Sequence, residues 1–303
     1  MKFDAVLIAG PTASGKSAAA LELAEDIGGV VINADSMQVY REAPILTAQP
    51  SAEDRARAPH LLYGHVSARE VYSVGRWRDD AAKALDEARA MGRVPIFAGG
   101  TGMYFMALTD GLSHIPATPD EVRDTARALL DDIGVEALHA RLAERDPLTA
   151  SKLRPSDPQR VLRAYEVLES TGRSLAQWQE APGEPVLKDA RLAAFVLDPS
   201  RDTRRARIAE RFEKMLEAGA LDEARALEGL DPSLPAAKLL GLRPLQALAK
   251  GTLTRGEALD GAITATRQFA KRQMTWFRHR MPHYIWYDPY ISNLITQFRH
   301  ISA

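Results

Sequence analysis

The chain has 303 residues, no cysteine, and a formal net charge of −1 from 39 basic and 40 acidic side chains. It can therefore form no disulfide, thiolate zinc site or cysteine nucleophile. Its apolar runs are short, and residues 1–4 lead straight into a predicted strand, which argues against a membrane span and a signal peptide. We expect one or two globular domains in the cytoplasm, with no membrane partner.

The first predicted strand, Val6–Ala9, is followed by the octapeptide GPTASGKS and then by a helix from Ser17 to Ala24. The octapeptide matches the pattern G-x-x-x-x-G-K-[ST], in which backbone N–H groups surround a phosphate at a helix N-terminus. In such a loop Lys16 reaches the terminal phosphate oxygens and the Ser17 hydroxyl binds Mg²⁺. The predicted phosphate-binding residues are Gly10, Pro11, Thr12, Ala13, Ser14, Gly15, Lys16 and Ser17.

Two later strands also end in chemistry-bearing residues. Val30–Ala34 runs into Asp35, and Val94–Ala98 runs into Gly99–Gly102, which contains Thr101. Parallel strands place their carboxyl ends at one sheet edge, so Asp35 would face the phosphate loop and bind Mg²⁺ or accept a proton. The alternatives are a helix N-cap at Asp35 and a plain tight turn at the glycines. Without a metal-binding carboxylate on the glycine-ended strand, a group-transfer enzyme is favoured over a motor or switch NTPase.

The order of the elements predicts the fold class. A helix over Arg76–Met91 separates two of the strands, and Leu192–Leu197 returns as a strand after a long helical stretch. This pattern predicts an α/β fold, a P-loop NTPase-like parallel sheet flanked by helices, with an inserted all-helical subdomain. We place the catalytic core in residues 1–117 and 186–303, and the helical insertion in residues 118–185.

The C-terminal part of the chain is locally basic. Gly261–Tyr287 carries no acidic residue and contains an amphipathic helix at Ala265–Arg278. Its Phe269, Trp276 and Phe277 are interpreted as a core stripe in preference to stacking platforms for bases. A basic helix of this kind can follow a nucleic-acid backbone, even in a chain of near-neutral net charge. The basic residues are Arg267, Lys271, Arg272, Arg278 and Arg280.

A second basic pair lies in the helical stretch. Asp157 and the following proline are typical of a helix start, and Arg160 and Arg163 then share one helix face. The pair is either a solvated face or a phosphate clamp, because the arginine fork matches phosphate geometry.

Taken together, these segments resemble the bacterial tRNA dimethylallyltransferases, also called tRNA isopentenyltransferases. The similar segments occur in the order of that family and span nearly the whole chain. They are Gly10–Ser17, Asp35–Arg41, Pro59–Leu61, Tyr72–Ser73, Gly99–Tyr104, Asp157–Arg163 and Ala265–Arg278.

The resemblance implies transfer of a dimethylallyl group from dimethylallyl diphosphate to N6 of the tRNA adenosine on the 3′ side of the anticodon, with diphosphate released. It implies that the phosphate loop holds the prenyl diphosphate with Mg²⁺ at Ser17, and that Arg207 or Arg211 faces that diphosphate. The implied catalytic residues are Asp35 as general base, Lys16 and Thr101. The implied tRNA contacts are Asp35, Ser36, Met37, Gln38, Thr101, Arg123, Gln159, Arg160, Val161, Leu162, Arg163, Lys238 and Arg243.

The partners expected from the resemblance are tRNA and dimethylallyl diphosphate, with the enzyme acting as a monomer. The chain departs from the family pattern at Gln49, where members carry lysine, and at Leu242, where they carry tyrosine. The alternative function is a P-loop small-molecule or nucleoside kinase, which would share the first loop and the aspartate at a strand end. A third possibility is a nucleotide-dependent binding module without chemistry.

Overall fold

The structure is a computed structural model that describes residues 2–302. Within this range a six-stranded sheet, parallel throughout, has the strand order β3-β2-β4-β1-β5-β6. The strands are β1 (Ala5–Ala9), β2 (Gly29–Asn33), β3 (His60–Leu61), β4 (Val94–Gly99), β5 (Leu192–Leu197) and β6 (Ile285–Tyr287).

Helices follow most of the strands, as the β-α-β alternation predicts. In the first half of the chain they are α1 (Lys16–Ile27), α2 (Pro44–Thr47), α3 (Ala52–Arg57), α4 (Val74–Ala90), α5 (Gly102–Thr109), α6 (Asp120–Arg145) and α7 (Pro147–Ala150). In the second half they are α8 (Pro158–Thr171), α9 (Leu175–Gln179), α10 (Arg201–Glu217), α11 (Ala220–Ala226), α12 (Leu242–Ala249), α13 (Arg255–Arg280) and α14 (Leu294–Ser302), with a 3₁₀ turn at Pro235–Lys238.

The predicted α/β class with a parallel sheet flanked by helices is confirmed. The four predicted strands are present, β5 with the predicted bounds, and the predicted basic helix is the C-terminal half of the longer α13. The two outer strands, β3 and β6, and the last helix, α14, were not predicted. Both strands have three residues or fewer, which is too short for a hydrophobic period to register.

The strand register sets the position of the site. Ala9 on β1 lies opposite Gly99 on β4, and Asn33 on β2 lies opposite Ala98. The residues that follow these strands therefore meet at one edge of the sheet, as predicted. Two backbone hydrogen bonds join them: the N–H of Gly10 donates to the Gly99 carbonyl at 3.2 Å, and the N–H of Thr101 donates to the Ala34 carbonyl at 3.2 Å.

Helices α4 and α5 support this edge from one face. Trp77 on α4 is fully buried and stacks on Tyr104 of α5, with ring centroids 4.0 Å apart and planes 8° apart. The indole N–H of Trp77 donates to the Asn33 carbonyl at 3.0 Å. A buried aromatic pair therefore fixes the end of β2, where the chain turns toward Asp35.

The chain divides into two compact units. One comprises the residues up to Thr109 and those from Val186 onward, and the other is Asp110–Pro185. The second unit is all helical (α6 to α9), and α6 is kinked at Gly134, where φ is 78°. The boundary at Asp110 lies before the predicted one at residue 118; the assignment of the units as catalytic core and insertion stays a prediction. Within residues 2–302, no helix is both long and apolar enough to cross a bilayer.

Candidate functional site

The loop between β1 and α1 has the geometry of an anion cradle. Gly15, the N-cap of α1, has φ of 88°, and Ala13 has φ of 61°, so the loop contains two left-handed residues. No side chain caps the first turn of α1, whose N–H groups have no partner within the helix itself. N–H groups of this kind, together with the helix dipole, favour an anion at this point.

Two cations face the same cavity from opposite elements. Lys16 from α1 is only 8% exposed, and Arg211 from α10 is partly buried and donates to the Thr47 carbonyl at 3.3 Å. Burial lowers the pKa of both side chains, and the charge of Asp35 opposes that shift in each case. Arg211 adds to the lowering of the Lys16 pKa, which indicates two cations brought together without a full counter-charge.

The cavity they face has a volume of about 660 Å³. Lys16 and Ser17 line it on the loop side, Asp35 lies at the end of β2, and α10 contributes Arg207 and Arg211. Apolar side chains complete the wall, among them Ile45, Met215 and Ala218. A charged end with an apolar wall suits an amphiphilic anion, such as an allylic diphosphate.

Asp35 is held by its own turn. Its N–H donates to Oδ1 of Asn33 at 2.8 Å, and its Oδ1 accepts the N–H of Met37 at 3.0 Å. The fully buried Asn33 also donates its amide to the carbonyls of Asp35 and Leu62, both at 3.0 Å. No helix begins here, so the alternative interpretation of Asp35 as a helix N-cap is wrong: its side chain closes an Asx turn. The sequence analysis did not identify Asn33, which precedes the turn on a buried strand.

The Gly-Gly-Thr turn after β4 closes around the same carboxylate. A Cβ at Gly100 would overlap Nε2 of Gln273 and lie 3.1 Å from Oδ2 of Asp35. The turn therefore requires glycine at this position, because the chain passes close to two functional side chains. The next residue, Thr101, accepts the N–H of Ser36 through its hydroxyl at 2.9 Å.

Two further residues at the site were missed by the sequence analysis. Gln273 of α13 accepts the Thr12 N–H at 2.9 Å and donates to the Gly100 carbonyl at 2.8 Å. The hydroxyl of Tyr290 lies 3.1 Å from the position of a Cβ on Gly15, and Arg207 lies 5.0 Å above the tyrosine ring. Both approach the loop from the far end of the chain. Gln273 lies within the family-like segment Ala265–Arg278, but nothing in that segment indicates a contact with the phosphate loop.

The wall opposite the phosphate loop is held by buried polar contacts. The amide of Gln38 donates to the carbonyls of Thr47 and Ala48, at 3.0 and 2.7 Å, and its implied contact with tRNA stays a prediction. The Glu223 carboxylate accepts the N–H groups of Ile45 and Leu46, at 2.7 and 2.8 Å. Burial raises the pKa of Glu223, and these two donors oppose the rise. The side chains therefore shape the cavity by fixing α2.

A metal ion at this site would need oxygen ligands from the substrate or from water in addition to those that the protein offers. Within residues 2–302, no group of three or more His, Cys, Asp or Glu side chains is placed to hold a metal ion. The exposed Ser17 and the carboxylate of Asp35 face the same cavity, and both are hard oxygen donors. Mg²⁺ commonly binds one or two protein oxygens, phosphate oxygens and water, so this donor set fits Mg²⁺ carried by a diphosphate.

The residues predicted to contact tRNA through the helical unit differ in accessibility. Gln159 and Arg160 are exposed on α8, and Arg163 is partly exposed and donates to Thr118 at 2.9 Å. Val161 is fully buried, on a different helix face from Arg160, so its side chain is not accessible to RNA in this conformation. Its implied contact with tRNA stays a prediction. Leu162 and Arg123 are partly exposed.

The unit that contains the sheet carries the remaining predicted RNA contacts and the basic helix. Lys238 and Arg243 are exposed. On α13, Phe277 is fully buried, whereas Phe269 and Trp276 are only partly so, and Trp276 lies against Gly102. The predicted core stripe is therefore correct for Phe277 and only partly correct for the other two. The side chains of Arg267, Lys271, Arg272, Arg278 and Arg280 are exposed.

Gln49 and Leu242, the two positions at which the chain departs from the family pattern, both have structural roles. Gln49 donates through Nε2 to the Tyr40 carbonyl at 2.7 Å and lines the cavity. Leu242 is buried, 2% exposed, at the start of α12. Gln49 therefore ties down its own loop with a neutral amide and brings no charge to the cavity.

A glycine-rich loop between a central parallel strand and a helix, with a carboxylate at the neighbouring strand end, defines a P-loop-type phosphate-binding protein. Comparison with known families narrows this class. The model of the IPP transferase family matches residues 38–280, and the model described as isopentenyl transferase matches residues 3–58. The chain belongs to the tRNA isopentenyltransferase family.

Individual relatives agree over nearly the whole chain. The chain is 53% identical to the tRNA dimethylallyltransferase of Methylocella silvestris over 95% of its length and 96% of the relative's. It is 54% identical to that of Nitrobacter hamburgensis, over 94% and 91% of the two chains.

Solved structures show the same fold. The tRNA isopentenylpyrophosphate transferase of Bacillus halodurans is 32% identical, with a TM-score of 0.66 and coverage of 99% of this chain and 94% of that one. A eukaryotic dimethylallyltransferase acting on tRNA is 26% identical, with a TM-score of 0.79 and coverage of 98% and 78%.

Proposed function

We propose that the protein transfers a dimethylallyl group from dimethylallyl diphosphate to N6 of the tRNA adenosine on the 3′ side of the anticodon. One observation carries the proposal: a single cavity is lined by the phosphate loop with Lys16, by Arg211 of α10 and by the carboxylate of Asp35. The loop is built to hold a departing diphosphate, and the carboxylate is available for the proton of the attacking amine.

The groups around the phosphate loop stabilise the negative charge of the departing diphosphate. An allylic diphosphate ionises readily, so catalysis depends on stabilising the leaving group. First-turn N–H groups of α1, Lys16 and Arg211 provide that stabilisation from fixed positions. Lys16 and Arg211 carry charges that burial disfavours, and a bound diphosphate relieves this cost.

At the other end of the cavity, Asp35 acts as the general base. Its Oδ1 accepts the Met37 N–H, and its Oδ2 lies beside Gly100, 3.1 Å from the position that a Cβ would take there. An exocyclic amine is a weak nucleophile, so its proton must leave as the new C–N bond forms. Atoms balance: the C–O bond to diphosphate breaks, the N6–C bond forms, and the N6 proton passes to the carboxylate.

Mg²⁺ carried on the diphosphate would lie at Ser17 and share in neutralising the leaving group. The protein itself places the exposed Ser17 hydroxyl at the first turn of α1.

The tRNA would be held by exposed basic side chains in both units, acting on the phosphate backbone. The target adenine must leave the stacked anticodon loop to reach the cavity, which costs a few kcal/mol for an unpaired base. We place the protein in the cytoplasm, acting as a monomer. A kinase would share the phosphate loop; the apolar wall of Ile45, Met215 and Ala218 suits a prenyl chain better than a sugar.

The test is incubation of the protein with labelled dimethylallyl diphosphate and unmodified tRNA. We expect label in the tRNA, lost when the target adenosine is replaced by guanosine. Consumption of ATP with a small acceptor and no label in tRNA would contradict the proposal and favour the kinase.

A further inference from the structure

Gln273 connects the phosphate loop to the turn after β4 with one side chain. It lies on α13, is 7% exposed, and leaves the helix toward the sheet edge. Its Oε1 accepts the N–H of Thr12 in the phosphate loop at 2.9 Å. Its Nε2 donates to the carbonyl of Gly100 at 2.8 Å, in the turn that borders Asp35.

The two contacts together need a side chain that accepts at one end and donates at the other, as a neutral amide does. A backbone N–H at one end needs an acceptor, and a backbone carbonyl at the other end needs a donor. A carboxylate would repel the Gly100 carbonyl, and a hydrocarbon would leave both buried backbone groups without a partner, which is costly. The two partners also fix the orientation of the amide, because the reverse orientation would set donor against donor and acceptor against acceptor.

These contacts constrain the loop in a way that matters for catalysis. The Thr12 N–H points to Gln273, so it is not one of the donors that face a bound phosphate. The Gly100 carbonyl is fixed at the same time, and a Cβ built on Gly100 would lie 3.1 Å from Oδ2 of Asp35. The side chain of Gln273 therefore holds both the phosphate loop and the turn beside the carboxylate of Asp35, although it lies 173 residues beyond Gly100 in the sequence.

We propose that Gln273 is a positioning residue that sets the distance between the diphosphate cradle and the general base. The inference rests on the proposed function, in which the two ends bind the two reactants. A change in that distance lowers the rate of the chemical step, and a displacement of about 1 Å can cost about 100-fold. Each reactant still binds its own end of the cavity.

The variants to measure are Gln273→Leu, Gln273→Glu and, as a matched control, Gln268→Leu, which changes an exposed glutamine on the same helix. For Gln273→Leu we expect kcat to fall about 100-fold, with unchanged pyrophosphate inhibition and tRNA affinity. Gln268→Leu should match the wild type. Thermal unfolding of each variant ensures that rates are compared on folded protein.

Gln273→Glu gives a readout that lost stability alone would not produce. A protonated carboxyl can accept from Thr12 and donate to Gly100, as the amide does, whereas the carboxylate cannot. The ratio of variant to wild-type kcat should therefore rise as the pH falls from about 8 to about 6, because burial raises the pKa of a carboxyl.

Four outcomes are informative. A wild-type kcat in Gln273→Leu, or a pH-independent ratio for Gln273→Glu, would overturn the inference. An equal loss of pyrophosphate affinity and kcat would also overturn it, since it would assign Gln273 to ligand binding alone. If the wild type itself transfers no label to tRNA, the proposed function fails, and that result is separate from the behaviour of the variants.

Discussion

The hydroxyl of Thr101 accepts the backbone N–H of Ser36 at 2.9 Å and donates to the Ser36 side chain at 3.1 Å. It joins the turn after β4 to the turn after β2, one residue beyond Asp35. Thr101 therefore lies near Asp35, as predicted, and its hydroxyl holds the backbone next to that carboxylate. Its implied contact with tRNA stays a prediction.

Replacing Thr101 by valine removes this hydroxyl at nearly constant volume and leaves the Ser36 N–H without its partner. We expect Thr101→Val to lower kcat by about 10-fold or more and to cost about 1–3 kcal/mol of stability. Thr101→Ser keeps the hydroxyl and should retain most of the activity. Steady-state transfer assays and thermal melts measure both effects; equal activities in the two variants would contradict this role.

As the pH rises, the ammonium group of Lys16 should lose its proton at a lower pH than that of a free lysine. Burial, helped by Arg211, lowers its pKa, so the ammonium loses its proton earlier as the pH rises. We therefore expect the ratio of pyrophosphate affinities, wild type over Lys16→Met, to be largest near neutral pH and to approach one toward alkaline pH. Inhibition of transfer by pyrophosphate measures it at each pH, and a ratio that stays constant through this range would contradict the assignment.

Glu223 should contribute to stability through the two partly buried hydrogen bonds that it accepts from the N–H groups of Ile45 and Leu46. Removing the carboxylate leaves both unpaired, so we expect Glu223→Ala to lower the free energy of unfolding by about 2 kcal/mol. The matched control is Glu228→Ala, which breaks an exposed ion pair with Lys250 at 2.7 Å. That change should cost less than about 1 kcal/mol. Denaturant titrations compare them, and equal losses would show that α2 is not anchored this way.

Arg160 is 74% exposed on α8 and is free to reach a phosphate beyond its partner Asp157. We expect Arg160→Ala to weaken tRNA binding and to reduce the slope of log affinity against log salt by about one. Arg89→Ala, at a similarly exposed arginine on α4, serves as the control. Filter binding over a range of salt concentrations gives the slopes. An unchanged slope in the α8 variant would remove this residue from the tRNA contacts.

The sequence predicted those parts of the site that depend on neighbours in the chain. The octapeptide from Gly10 to Ser17 is recognisable because loop, strand and helix are contiguous, and the buried runs of β1, β4 and β5 stand out by their apolar composition. The position of Asp35 opposite the loop also followed, because parallel strands align their carboxyl ends.

The rest depends on contacts between distant residues. Thr12 and Gln273 are 261 positions apart, and nothing near either residue indicates the hydrogen bond between them. The amide of Gln38 donates to two carbonyls, those of Thr47 and Ala48, and no pattern near Gln38 indicates these partners. Side-chain partners of this kind are chosen by tertiary packing, which local pattern does not contain.

The central claim is that Asp35 removes the amine proton while the phosphate loop holds the leaving group. Single-turnover transfer from labelled dimethylallyl diphosphate to tRNA by Asp35→Asn tests it most directly, with Asp54→Asn as the control. Asp54 lines the same cavity but belongs to the capping box of α3. We expect a loss of about 10²- to 10⁴-fold for Asp35→Asn with unchanged tRNA affinity, and a near-normal rate for Asp54→Asn. A near-normal rate in Asp35→Asn would show that Asp35 is not the general base.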